Sequence, residues 1–202
     1  LDIPSGLGSD DGCIYGVAIH ATLTVTFIGR KPGLYTNFGP ECCGEVVLCD
    51  LGIHLPSAPQ PQVWLLNHML AASLLPPPRS ANSHKGSFGN VAILGGSSGM
   101  TGAALLTGRA ALHSGAGRVY AGLLVENAPA VDFFQPELML RPPPGIFELA
   151  QLHCLIAGPG LGQSAQALAW LETALDSNHP LVLDADALNL LAQHSNLANR
   201  LK

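Results

Sequence analysis

The sequence predicts an α/β protein built on a mostly parallel sheet, and three observations lead to this fold class. Short apolar segments alternate with helical segments along the second half of the chain, as they do where crossover helices join parallel strands. The strand segments are apolar almost throughout, which is typical of strands buried on both faces. Glycine-rich loops follow two of the strands, at the carboxyl ends where such sheets place functional groups. Right-handed crossovers are expected.

The first part of the chain shows weaker patterns. We interpret 1–3 as the end of a strand, and β-branched alternation indicates a strand over 22–28. A further short strand is expected over 44–52. Three prolines in the uncharged stretch 55–62 are typical of a stiff linker, so a domain boundary is placed there. A short helix is expected over 63–75, before three consecutive prolines stop it.

The rest of the chain predicts the parallel sheet and the helices that cover it. A loop over 135–139 is expected to lead into a short edge strand. The other elements alternate regularly: strands over 90–94, 119–125, 152–157 and 180–183, and helices over 103–114, 164–176 and 188–194.

Composition and charge exclude several classes of protein. Of 202 residues, 48% are hydrophobic and only 11% are charged, which predicts a large buried fraction. The net charge of −5 argues against a nucleic-acid partner and against a polybasic membrane patch. No stretch approaches the ~18 apolar residues of a membrane span. We expect a cytoplasmic protein whose five cysteines are reduced thiols rather than metal ligands.

Two glycine-rich loops are candidates for phosphate binding. One runs over 95–102 and the other over 158–162, each between a strand and a helix. Glycines let the backbone approach a ligand, and N–H groups at the start of a helix favour an anion. A tight strand-to-helix turn is the alternative for the first loop, but its glycines outnumber what a turn needs. The candidate phosphate-contacting residues are Gly95, Gly96, Gly99, Gly102 and Gly158.

The first loop also satisfies the G-x-S-x-G pattern of a nucleophile elbow, with Ser97 as the nucleophile. Asp184 or Asp186 followed by His194 would give the order of a hydrolase triad. However, the chain holds no H-G-G-G-type oxyanion segment, so this hypothesis is disfavoured.

Polar residues beside these loops have two interpretations each. Asp184 and Asp186, with Asn189 one turn later, suit Mg²⁺ or ribose hydroxyls, or an aspartate simply caps the next helix. His84 and Lys85 would meet phosphate near the glycine loops, or form a solvated loop.

Asp2 and Ser5 form a further candidate pair near the start of the chain. A carboxylate with a hydroxyl three residues later suits a sugar hydroxyl or a monovalent cation, and ordinary turn chemistry is the alternative.

The ordered motifs of the second part resemble the ADP-dependent NAD(P)H-hydrate dehydratases, a family with a ribokinase-like α/β fold. The segments are 83–91 (S-H-K-G-S-F-G-N-V), 95–103 (G-G-S-S-G-M-T-G-A), 109–117 (R-A-A-L-H-S-G-A-G), 136–139 (P-E-L-M), 158–162 (G-P-G-L-G) and 184–189 (D-A-D-A-L-N).

The first part resembles the end of an NAD(P)H-hydrate epimerase domain, which has a Rossmann-like α/β fold. The matching segments are 1–7 (L-D-I-P-S-G-L), 24–28 (T-V-T-F-I) and 31–34 (K-P-G-L). In bacteria the two domains are commonly fused in this order. The resemblance thus implies the C-terminal part of an epimerase domain over 1–54, a linker over 55–62 and the N-terminal part of a dehydratase domain over 63–202.

The resemblance also implies the chemistry. The epimerase interconverts the R and S hydrates of NADH and NADPH (NADHX and NADPHX). The dehydratase phosphorylates the S hydrate with ADP or ATP, and loss of phosphate restores the reduced cofactor. Potassium and magnesium are the implied metals, the dinucleotide and an adenine nucleotide are the implied small-molecule partners, and the full-length protein is expected to be a homo-oligomer.

Individual residues match the patterns of these families. Asp2 matches an epimerase position that contacts the hydrate, and Ser5 matches a potassium ligand. Ala103 and Gly162, with Gly160, match hydrate-contacting positions of the dehydratase. The positions of His84, Lys85, Asp184 and Asn189 are also implied to bind substrate.

Three family motifs do not occur in the chain: T-P-H-x-G-E, G-[TS]-G-D with the general-base aspartate, and the epimerase loop N-G-G-D-G. The general base is therefore expected beyond residue 202, and we expect an internal piece with little activity by itself. Two alternatives remain, a ribokinase-like kinase acting on a vitamin precursor and a non-catalytic nucleotide-binding module.

Overall fold

The computed structural model describes residues 1–53 and 63–201. Two compact units divide the chain, Leu1–Pro77 and Pro78–Lys202. The linker expected over 55–62 lies outside the described residues.

The first unit contains a pair of parallel strands, β1 (Leu23–Phe27) and β2 (Glu45–Cys49), which confirms both strand predictions. A 3-10 turn (Pro32–Leu34) and the short helix α1 (Gly39–Cys43) connect them. A small apolar core lies beside these elements. Its buried members are Leu7, Leu34, Cys42 and Cys43.

Two elements of the first unit differ from the sequence prediction. Residues 1–3 form no strand, because Asp2 has a φ of 63°, in the left-handed region that an extended chain does not visit. Helix α2 spans only His68–Leu74, whereas the sequence predicted 63–75. The Asn67 side chain accepts a hydrogen bond from the Leu70 N–H at 2.9 Å, so this cap sets the start of the helix.

The second unit is built on a five-stranded parallel sheet, as predicted, with the strand order β5-β4-β3-β6-β7. Strand ends differ from the predictions by one or two residues. The strands are β3 (Asn90–Gly95), β4 (Arg118–Leu123), β5 (Leu138–Arg141), β6 (Cys154–Ala157) and β7 (Leu181–Leu183).

Helices cover both faces of this sheet, which explains the uninterrupted apolar strands. Ile93 lies in one buried cluster, whereas its neighbours Ala92 and Leu94 lie in the other, because successive side chains of a strand point to opposite faces. The helices are α3 (Thr101–His113), α4 (Pro144–Phe147), α5 (Ala165–Asp176), α6 (Asp186–Gln193) and α7 (Ser195–Ala198).

All five cysteines are free thiols, as expected. Burial raises the pKa of the Cys43 and Cys154 thiols, which keeps them protonated and unreactive. Within residues 1–53 and 63–201, no helix has the length and apolar character needed to cross a membrane.

Candidate functional site

The two glycine loops meet at the carboxyl ends of β3 and β6. The Gly96 N–H donates to the Pro159 carbonyl at 3.1 Å, and the Ser97 N–H donates to the Gly160 carbonyl at 2.7 Å. Since β3 and β6 pair directly, their loops leave the sheet side by side. The two loops therefore lie side by side, as their shared position at the carboxyl ends of strands predicted.

Much of the glycine content in these loops has a structural cause. A Cβ added at Gly95 would collide with the Pro159 carbonyl, and one added at Gly158 would collide with the Asp184 carbonyl. A Cβ added at Gly160 would also meet a backbone carbonyl, whereas one added at Gly96 would meet the Leu123 side chain. These glycines allow close packing of loop against loop, and the Gly96 N–H is already used within the protein.

Gly99 and Gly102 differ from these crowded glycines. Apart from chain neighbours and the local helix backbone, no described atom lies within 4 Å of the position that a Cβ would take at either residue. Both are exposed, and Gly102 belongs to the first turn of α3. The residue before that helix, Met100, makes no side-chain cap to the first-turn N–H groups. Of the candidate phosphate contacts, Gly99 and Gly102 have room for a ligand.

The second loop is fixed to α6 by Asp186. Its carboxylate accepts hydrogen bonds from the Gly162 N–H at 2.8 Å and from the Asn189 side chain at 3.4 Å. The α6 N-cap is Ala185, at a φ of 44°, and it makes no side-chain cap. Asp186 therefore holds the loop rather than capping the helix in the expected way.

Asp184 lies at the carboxyl end of β7, beside the glycine loops. Its backbone N–H donates to the Ala157 carbonyl of β6 at 3.0 Å, which places it next to Gly158. The side chain is exposed and makes no hydrogen bond to any described residue. Of the two carboxylates considered, Asp184 is the one available to a ligand or to Mg²⁺.

An open cavity of about 470 Å³ lies between the two loops and the end of β4. We call it the glycine-loop cavity. Its volume is within the range of small-molecule sites. Ala103 lies close to this region, because a Cβ added at Gly160 would come within 3.1 Å of the Ala103 Cβ. Lining residues include Ser97, Ser98, Gly162, Ser164 and Gln166.

The structure does not bring His84 and Lys85 to the glycine loops. Both are exposed and lie at the start of a 3-10 turn (Lys85–Phe88) that precedes β3. The Lys85 carbonyl is in close contact with Gly117, just before β4. This is the amino edge of the sheet, opposite the glycine loops, so the suggested phosphate contact of the pair is not supported.

Asp2 in the first unit is held by a dense set of hydrogen bonds. Its Oδ1 accepts from the Thr26 hydroxyl and the Phe27 N–H, each at 3.1 Å, and from the Lys31 ammonium. The Lys31 hydrogen bond foremost, with that of Phe27, holds the pKa of the Asp2 carboxyl below its usual value. Asp2 is therefore a fixed, ionised acceptor, and its Oδ2 takes no part in these hydrogen bonds.

Sequence reasoning missed Thr26 and Lys31. Lys31 also donates to the Thr26 hydroxyl and to the Phe27 carbonyl, both at 3.0 Å. The K-P-G-L segment over 31–34 entered the sequence analysis only as a segment similar to the epimerase domain. A lysine in that segment, together with threonines alternating inward along β1, was the signal that could have identified the cluster.

Ser5 was predicted to be a potassium ligand, and its surroundings in the structure give this prediction little support. It is exposed, and its carbonyl already accepts from the Ile19 N–H at 3.0 Å. Its hydroxyl is a single candidate oxygen for a potassium ion. Among residues 1–53 and 63–201, no group of three or more His, Cys, Asp or Glu side chains is placed to hold a metal ion.

The five-stranded parallel sheet with helices on both faces belongs to the α/β class. Similarity to known proteins identifies its fold as ribokinase-like. A ribokinase-like superfamily protein from Enterococcus faecalis is 29% identical with a TM-score of 0.53, covering 58% of this chain and 44% of that one. The family model for NAD(P)H-hydrate dehydratase matches residues 91–202, more than half of the chain. The chain belongs to the NAD(P)H-hydrate dehydratase family.

Curated relatives extend the similarity to the first unit. The bifunctional NAD(P)H-hydrate repair enzyme of Coxiella burnetii is 41% identical over 199 residues, covering 96% of this chain and 41% of that protein. The repair enzyme of Escherichia coli K12 is 37% identical, covering 95% of this chain and 38% of that protein. The chain thus spans about two fifths of the length of the curated relatives it matches.

Proposed function

We propose that the second unit binds the S hydrate of NADH or NADPH at the carboxyl edge of its sheet and serves in ADP-dependent dehydration of that hydrate. The observation that carries this proposal is the convergence of both glycine loops, Ala103 and the free Asp184 carboxylate at one edge of the sheet. Family membership supports the choice of ligand.

The proposed reaction has two steps. The terminal phosphoryl group of ADP passes to the hydroxyl oxygen of the hydrate, the hydroxyl proton goes to a general base, and AMP leaves. The C–O bond then breaks, inorganic phosphate departs and a ring proton is lost, which restores the dihydronicotinamide. Phosphorylation is needed because hydroxide is a poor leaving group.

The described residues would bind and orient the substrate for this reaction. Gly99 and Gly102 leave space for the diphosphate beside the first turn of α3. Asp184 would orient a hydroxyl or hold Mg²⁺ with the nucleotide phosphates. Asn189 would act through Asp186, which fixes Gly162.

Gly102→Gln tests the assignment of the diphosphate to the space beside Gly102. Glutamine is a good helix former and would project into the open space over Gly102, so the fold should survive while the hydrate is excluded. Isothermal titration should show binding of the S hydrate of NADPH to the natural chain and at least tenfold weaker binding to the variant. Equal affinities would refute the assignment.

For the first unit we propose a role in epimerisation of the R and S hydrates, with Asp2 as a substrate contact and Ser5 as a potassium ligand. The hydrogen-bonded, ionised Asp2 and the similarity to bifunctional repair enzymes over almost the whole chain support it. Asp2→Asn should weaken binding of the R hydrate, and an unchanged dissociation constant would count against the role. We propose the cytoplasm as the compartment, which the five free cysteines support.

The two other functions predict different ligands. A kinase for a vitamin precursor would be stabilised by that precursor, and a non-catalytic module by an adenine nucleotide alone. Thermal shifts with hydroxymethylpyrimidine, ADP and the S hydrate therefore separate the three hypotheses. We expect the S hydrate to give the largest shift.

A further inference from the structure

A second open cavity, of about 510 Å³, adjoins the glycine-loop cavity. We call it the proline-walled cavity, after Pro129 and the run 142–144 that line it. Both cavities are lined by Leu124, Val125, Glu126 and Gln166, so the two form one continuous crevice. A crevice with two compartments suits a dinucleotide better than a mononucleotide.

The walls of the proline-walled cavity favour a flat, aromatic ligand group. Trp170 also lines the cavity, and its ring stacks on Phe147 with 5.8 Å between centroids and 7° between planes. Flat apolar surfaces of this kind bind bases by stacking. The hydrated nicotinamide ring is not aromatic and carries a polar hydroxyl and a carboxamide. The adenine of the dinucleotide is therefore the better occupant.

The junction between the cavities carries two polar side chains. Glu126 and Gln166 are exposed and line both compartments. In a dinucleotide the ribose lies between the base and the diphosphate, and a carboxylate is the usual acceptor for ribose hydroxyls. Arg141 lines the proline-walled cavity but not the glycine-loop cavity, so it does not belong to the junction. At the junction, a 2′-phosphate, which NADPH carries and NADH lacks, would meet the negative charge of Glu126.

We propose that the proline-walled cavity holds the adenosine half of the hydrated dinucleotide, with Glu126 and Gln166 contacting its ribose while the glycine loops face the diphosphate. Glu126 then discriminates between the two hydrates and favours that of NADH. The proposal rests on the proposed dehydratase function of the second unit.

Trp170 fluorescence tests which half of the ligand lies in this cavity. The chain has two tryptophans, so Trp64→Phe leaves Trp170 as the only one. We expect ADP-ribose to quench this fluorescence and to compete with the S hydrate of NADH, whereas the hydrated mononucleotide should leave the fluorescence unchanged. Quenching by the mononucleotide alone would overturn the proposal.

Glu126→Gln tests the discrimination between NADH and NADPH hydrates. The preference for the NADH hydrate, measured as the ratio of the two dissociation constants, should fall about tenfold in the variant. The reason is that the variant has a neutral amide in place of the carboxylate. Glu148→Gln is the matched control, since Glu148 is exposed and lines neither cavity.

The outcomes separate the two proposals. If neither hydrate binds the natural chain, the proposed function fails, and this inference fails with it. If both hydrates bind but ADP-ribose does not compete and Glu126→Gln leaves the ratio of dissociation constants unchanged, only the placement of the adenosine half is wrong.

Discussion

At the scale of single residues, neighbouring glycines have different causes. Gly95 is required by the Pro159 carbonyl that lies against it, whereas Gly102 faces open space. Composition alone could not separate these cases, because both residues belong to the same G-G-S-S-G-M-T-G loop. The separation depends on which loop packs beside them, and that is a tertiary property.

Alanine substitutions at the two glycines should change the free energy of unfolding in opposite directions. Gly95→Ala forces a methyl group into a backbone carbonyl and should cost about 1–3 kcal/mol of unfolding free energy. Gly102→Ala replaces a helical glycine in open space and should gain about 0.5–1 kcal/mol. Urea unfolding measured by fluorescence checks both values, and similar losses at the two positions would contradict the distinction.

The ionised state of Asp2 has a pH signature. Its pKa lies below the usual 3.8, so its hydrogen bonds stabilise the native state above that pH, and this stabilisation is lost as the pH falls through the native value. At neutral pH, the first unit of the natural chain should have a higher urea midpoint than the first unit of Asp2→Asn. The margin between the two midpoints should be constant in that pH range. The margin should shrink only below pH 3.8.

Amide NMR signals of residues 1–53 report these urea midpoints. Lys31→Met should remove most of the same margin, because the Lys31 hydrogen bond is the largest cause of the lowered pKa. A margin that shrinks already between pH 5 and 7 would show that Asp2 is not held in this way.

At the scale of elements, an ion pair joins α3 to the loop between β4 and β5. Arg109 donates from Nε and Nη2 to the two carboxylate oxygens of Asp132, at 2.8 and 2.7 Å. Although burial raises the pKa of Asp132, the hydrogen bonds from Arg109 and the Phe134 N–H outweigh it and lower that pKa. A buried carboxylate with two-point contact to arginine is a strong local constraint.

Asp132→Asn should destabilise the second unit by about 2–3 kcal/mol, because it leaves the Arg109 charge without its buried partner. Glu137→Gln is a suitable comparison, since Glu137 is exposed and accepts only from the nearby Gln135 side chain at 2.9 Å. That variant should change stability by less than about 0.5 kcal/mol. Urea midpoints that move equally in the two variants would contradict a special role for Asp132.

Regular elements were predictable where periodicity was strong. All five strands of the sheet and its three longer helices follow from apolar runs and glycine-rich ends. The predictions failed where one residue decided the local backbone. Asn67 caps α2 five residues later than expected, and the left-handed Asp2 prevents a strand at 1–3.

At the scale of the whole molecule, the parallel sheet decides which candidates come together. Parallel sheets place functional groups at the carboxyl ends of their strands, and this rule correctly predicted that both glycine loops and Asp184 would be neighbours. It could not locate His84 and Lys85, which precede β3 and therefore lie at the opposite edge. It also gave no information on Lys31, whose contacts join residues 29 positions apart in sequence.

Each unit is expected to have its own ligand contacts. A substitution in one unit should therefore leave ligand binding by the other unit unchanged. Asp2→Asn should reduce hydrate-dependent protection from hydrogen exchange in the first unit only, and Gly102→Gln in the second unit only. Loss of protection in both units from either single variant would contradict two separate sites.

We propose that the glycine-loop edge of the second unit binds the S hydrate. Hydrogen exchange with and without the S hydrate of NADPH measures this binding at each backbone amide. We predict protection of the backbone amides around 98–103 and 162–164 in the natural chain, and no such protection in Gly102→Gln. Protection confined to the amino edge of the sheet, or absent from the second unit, would contradict the account.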